Sequence, residues 1–103
     1  MTEKEILKSA IDTYGKKNQC AMAMEECGEL VQAINKVCRE FSYSRRDNLI
    51  EEIADVLIMI EQLKLMFDLS DREISIMRNR KLQRLERRIR ERRTNDDRES
   101  KDT

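Results

Sequence analysis

With 103 residues, the chain has room for one domain with a modest core, completed by assembly with further copies. Its 41% charged residues, 4% aromatics, two glycines and absent proline exclude a strand-rich fold and point to an all-helical one. Three cysteines without a CxxC spacing, and no histidine, argue against a disulfide framework and against structural zinc.

The N-terminus, MTEKEILKSA, is acidic where a signal peptide is basic. No apolar run approaches the roughly 18 residues of a membrane span. A soluble, cytoplasmic protein with no membrane partner is expected. Cys27 and Cys38 read as small buried hydrophobes in a reducing compartment.

In chain order, Ile6, Leu7, Ala10, Ile11 and Tyr14 are spaced for one apolar face and predict a first helix over 3–14. Thr2 and Glu5 fit a capping box, and Gly15 stops the helix. A second helix is predicted over about 18–40, capped by Asn18. Its apolar positions Cys27, Leu30, Val31, Ile34, Val37, Cys38 and Phe41 follow an i, i+3, i+4 pattern. Gly28 inside it is disfavoured by about 1 kcal/mol relative to Ala; it either admits a close neighbour or is simply tolerated.

A polar connection, 41–46, leads to a third helix over about 47–67, capped by Asp47. Apolar residues cover nearly its whole circumference, as expected of a central helix or one buried at a subunit interface. Ser70 and Glu73 form a second capping box before a fourth helix. Ile74, Met77, Leu82, Leu85 and Ile89 mark its apolar positions up to Arg93.

The expected architecture is therefore a four-helix bundle-like domain over 1–93, oligomeric through a shared core, with a disordered polar tail over 94–103. Net charge is zero but unevenly placed. Residues 78–93 carry nine basic and two acidic groups, whereas residues 1–77 carry ten basic and fifteen acidic.

The chemistry lies in two carboxylate pairs. Glu26 and Glu29 are one turn apart on the second helix, and Glu52 and Asp55 repeat that spacing on the third. On a helical wheel Glu26 falls at the edge of the apolar stripe, between Leu30 and Ala33. Glu52 projects among Val56, Met59 and Leu63, and Asp55 beside Met59 and Met66.

Ionised carboxylates against apolar surface are costly unless neutralised. No Lys or Arg lies between Leu49 and Leu63, and Lys64 projects elsewhere. A divalent cation is the expected neutraliser. Without histidine a ferritin-like di-iron centre is disfavoured, and an all-oxygen donor set suits Mg²⁺, with Mn²⁺ as a substitute. Solvated helix flanks are the bland alternative, which two such pairs in apolar runs disfavour.

The pattern Glu25-Glu26-x-x-Glu29, then Glu52-x-x-Asp55 after 22 intervening residues, resembles the EExxE…ExxD signature of MazG-like all-α nucleoside triphosphate pyrophosphohydrolases. Gln19, Leu30 and the segment 48–57 agree with it, and the resemblance covers about residues 15–70. It implies a Mg²⁺-dependent enzyme that cleaves an NTP or dNTP between its α and β phosphates, releasing monophosphate and pyrophosphate.

By the same resemblance Glu26, Glu29, Glu52 and Asp55 are the metal ligands, and Glu25 assists the attacking water or a second metal. Gln19 faces the substrate, and Arg78, Arg80 and Lys81 are candidates for the outer phosphates. The assembly is expected to be a homodimer or homotetramer.

Two other readings use the basic stretch 78–93, as the contact surface of a non-catalytic helical module or as a nucleic-acid binder. The stretch has no aromatic residue to stack on bases and the rest of the domain is acidic, which argues against a nucleic-acid partner.

Overall fold

The computed structural model describes residues 1–102. Four helices follow one another: α1 (Glu3–Tyr14), α2 (Lys16–Arg39), α3 (Tyr43–Phe67) and α4 (Asp71–Asp102). Among the described residues there is no strand, and the fold class is all-α. The chain divides into two units, 1–69 and the part that begins at Ser70. The first unit thus contains three of the four expected helices, and α4 makes up the second.

Local chemistry sets the helix ends. Thr2 Oγ1 accepts from Glu5 N at 3.1 Å and opens α1. Gly15 closes it at φ 90, a conformation that favours glycine. This one residue also precedes α2, which starts at Lys16 and not at the expected Asn18 cap. Asn18 instead turns back, and its Nδ2 donates to Tyr14 O at 2.8 Å.

The connection between α2 and α3 is shorter than the sequence suggested. Arg45 Nη1 donates to Lys36 O and Glu40 O, both at 2.9 Å, satisfying carbonyls at the end of α2. Drawing Arg45 into that position extends α3 back to Tyr43. Ser42, rather than Asp47, is its N-cap, accepting from Arg45 N at 3.1 Å.

So short a link makes α2 and α3 an antiparallel pair. Their screened positions alternate in steps of four and three: Gln19, Ala23, Glu26, Leu30, Ala33 and Val37 on α2, and Leu49, Glu52, Val56, Met59, Leu63 and Met66 on α3. That is the seam of a two-helix coiled coil. Ala23 and Ala33, the latter 1% exposed, keep the helices close. Lys16 Nζ lies 4.4 Å over the Phe67 ring and fastens the open end of the pair. α1 packs against both helices, with Leu7 buried.

The seam corrects the wheel. The Cys27, Val31, Ile34 and Cys38 face, expected to be core, is exposed, and the buried face is the neighbouring one that carries the alanines. Cys27 and Cys38 are accordingly free and exposed, not buried. On α3 the apolar circumference is real, but Ile50, Ile53, Leu57, Ile58 and Ile60 are all exposed. Among the described residues only Leu7, Ala23, Ala33 and Met59 form buried apolar core, and no large side chain is fully buried.

In the second unit, Ser70 and Glu73 complete the predicted capping box. Glu73 N donates to Ser70 Oγ at 3.1 Å, and Ser70 N donates to Glu73 Oε2 at 3.0 Å. α4 does not end at Arg93. It continues through Asp102, supported by i,i+4 ion pairs of Arg90 with Glu86 at 2.6 Å and Arg92 with Asp96 at 3.3 Å. The expected polar tail is thus helical over residues 94–102. No helix among the described residues is long and apolar enough to cross a membrane.

Candidate metal centre

Glu26 and Glu52 occupy seam positions, where coiled-coil geometry demands apolar side chains. The register explains how they meet. Between Gln19 and Glu26, α2 advances seven residues; between Gln62 and Asp55, α3 goes back seven. Three residues further along each helix bring Glu29 and Glu52 together. The carboxylate pairs predicted from sequence are therefore on facing turns of one antiparallel pair.

Glu26, Glu52 and Asp55 each offer a carboxylate oxygen, and these atoms all lie within 4.8 Å of one another. Glu26 and Glu52 are half-buried, Asp55 exposed. Glu29 is also exposed, and its charge acts on both Glu26 and Glu52.

Crowding acids in this way shifts their titration. Desolvation pushes the Glu26 carboxyl up from an ordinary 4.5 to about 7, and the charges of Glu29, Asp55 and Glu52 push in the same direction. Glu52 is also raised, by desolvation first and then by Glu29.

Two oxygens decide what the cluster fits. Glu26 Oε2 and Glu52 Oε2 are buried without a hydrogen-bond partner. Buried acceptors are normally satisfied, and no side-chain donor reaches these. Lys64 with Glu61 at 2.9 Å, Arg45 with Glu40 at 4.0 Å and Arg46 with Asp47 at 3.9 Å are ion pairs made by other acids of the hairpin. An all-oxygen set with orphaned, partly desolvated acceptors fits a hard divalent cation.

The other sequence-predicted residues are dispersed. Glu25, although adjacent to Glu26, is not one of the three clustered acids and lines a cleft with Tyr14, Asn18, Gln19, Ala21 and Met22. Gln19 is buried, and its Nε2 donates to Gln62 Oε1 at 2.7 Å. Arg78, Arg80 and Lys81 are exposed on α4, in the second unit.

Gln62 went unrecognised in the sequence. It is 4% exposed and bonds across the seam to Gln19, one heptad from the carboxylates. Its position seven residues after Asp55, on the same helix face, was the available signal.

A family model described as the MazG nucleotide pyrophosphohydrolase domain matches residues 15–93, most of the chain, from the start of α2 into α4. No characterised protein and no solved structure matches it.

Proposed function

Since the chain belongs to the MazG nucleotide pyrophosphohydrolase family, we propose that it hydrolyses a nucleoside triphosphate, ribo or deoxy, to the monophosphate and pyrophosphate. The observation that carries this reading is the pair of buried oxygens, Glu26 Oε2 and Glu52 Oε2, that no donor satisfies. Evolving two acids into an apolar seam destabilises the hairpin unless a ligand compensates.

Glu26, Glu29, Glu52 and Asp55 would hold Mg²⁺, or Mn²⁺ in its place. When bound, the ion neutralises phosphate charge, orients the triphosphate and lowers the pKa of coordinated water. Glu25 is outside the cluster but next to it in sequence, and would assist the attacking water or a second metal ion. Gln19, held by Gln62, faces the substrate. On the family resemblance alone we assign Arg78, Arg80 and Lys81 to the outer phosphates; guanidinium forks suit phosphate oxygens.

We take residues 1–93 as the catalytic domain and the cytoplasm as its compartment. The same reading makes the protein a homodimer or homotetramer. Exposed Ile53, Leu57 and Ile60 on α3, together with Val31 and Ile34 on α2, leave more apolar surface open than so small a core balances. Light scattering at micromolar concentration should give a mass of two or four chains; a monomer would refute that assembly.

The activity is tested by incubating the protein with NTPs and dNTPs and assaying monophosphate and pyrophosphate. We expect Mg²⁺-dependent release that EDTA abolishes, and its loss in folded Glu29→Gln and Asp55→Asn variants. Release that survives both substitutions removes the cluster from the reaction.

A further inference from the structure

A second stripe runs along α2 beside the seam. Asn18, Met22, Glu25 and Glu29 recur in steps of four, three and four, which sets them on one helix face, and all four are exposed. At the N-terminal end of this face Tyr14, the last residue of α1, contributes to a cleft of about 520 Å³ lined also by Asn18, Gln19, Met22 and Glu25. A volume of this order suits a small ligand. At ~1.5 Å per residue, Asn18 and Glu29 are about 16 Å apart along the helix. Glu29 belongs to the carboxylate cluster, so the cleft opens along the same face that ends at the candidate metal centre.

We propose that the cleft seats the base of the nucleotide and selects bases with an amino group at purine C6 or pyrimidine C4, adenine and cytosine, over those with a carbonyl at that position. The proposal rests on the pyrophosphohydrolase reading. Tyr14 supplies an exposed ring for stacking, and Met22 an adaptable apolar floor.

Selectivity comes from Asn18. Its Nδ2 donates to the Tyr14 carbonyl at 2.8 Å. A carbonyl only accepts, so the amide nitrogen must face it, and Oδ1 is turned the other way as an acceptor. No Lys or Arg lines the cleft, and its charged member, Glu25, is a further acceptor. Adenine and cytosine present an amino donor where guanine and thymine present a carbonyl oxygen. The first pair completes a hydrogen bond to Asn18 Oδ1; the second sets a carbonyl oxygen against that acceptor, while Nδ2 has one of its two N–H groups engaged by Tyr14.

The test measures pyrophosphate release from dATP, dCTP, dGTP and dTTP with Mg²⁺, using the full chain and its Asn18→Ala and Tyr14→Ala variants, each checked for helicity by circular dichroism. In the parent protein kcat/KM for dATP and dCTP should exceed that for dGTP and dTTP about tenfold, the size of one discriminating base contact. Asn18→Ala should bring the four substrates within about twofold of one another, through KM. Tyr14→Ala should raise KM for all four by a similar factor and leave the ranking intact.

Equal kcat/KM across the four bases, or a preference that survives Asn18→Ala, overturns the base site and leaves the pyrophosphohydrolase reading in place. Hydrolysis of none of them overturns that reading, and the base site with it.

Discussion

Glu26 on α2 and Glu52 on α3 face each other across an apolar seam, and each buries a carboxylate oxygen that nothing in the hairpin satisfies. The arrangement works against the metal-free protein, because each acid is desolvated and repelled by its neighbours. Replacing Glu52 by Met should therefore raise the Tm of the metal-free protein in thermal melts, since an apolar side chain suits a seam position. The same variant should lose any further rise on adding Mg²⁺. A lower metal-free Tm would mean that Glu52 has a partner in the fold.

The titration of Glu26 gives the sign of the pH dependence. Its folded-state pKa, about 7, lies above the ordinary 4.5, so folding favours the protonated form. The stability this contributes is fully present below 4.5 and is lost as pH rises through about 7. Melts of the metal-free protein should show Tm falling across that interval, and Glu26→Gln should flatten the slope. A Tm that climbs with pH there, and still climbs in Glu26→Gln, would contradict the assignment.

Gln62 ties α3 to Gln19 within the seam. Substituting Gln62 by Leu removes the acceptor and leaves the buried Gln19 amide without it, at a cost of about 1–3 kcal/mol in urea unfolding. The double variant Gln19→Leu with Gln62→Leu should recover much of that loss, because an apolar pair at matched positions needs no donor. Additive losses in the double variant would show that the two amides act separately.

Gly28 supplies a different kind of check. A Cβ added there meets nothing within 4 Å, so Gly28→Ala should stabilise α2 by about 1 kcal/mol, read from the shift in the urea midpoint. Destabilisation would place a second chain or a ligand against this position.

Much of this organisation was legible in the sequence, and for physical reasons. The acids recur with helical spacing, and the caps at Thr2 and Ser70 use side chains whose partners lie three residues away. Local rules of this kind need no tertiary context.

What escaped depended on context. The α2 wheel favoured Cys27, Val31 and Ile34 because they are the more hydrophobic, whereas the neighbouring helix packs against the smaller Ala23 and Ala33. Glu26 thereby moved from the edge of a stripe to the middle of a seam. Arg45 was read as loop because nothing in its own neighbourhood shows that it will bond the α2 carbonyls. Gln62 finds its partner, Gln19, only once α2 and α3 are paired.

The central claim is that Glu26 and Glu52 hold a divalent cation, and metal binding without nucleotide tests it most directly. Titration with Mn²⁺, followed by the loss of its free electron paramagnetic resonance signal, should show saturable binding that Mg²⁺ competes away. Glu26→Gln and Glu52→Gln, both still helical, should each abolish it. Binding that is unchanged in both variants would contradict the account.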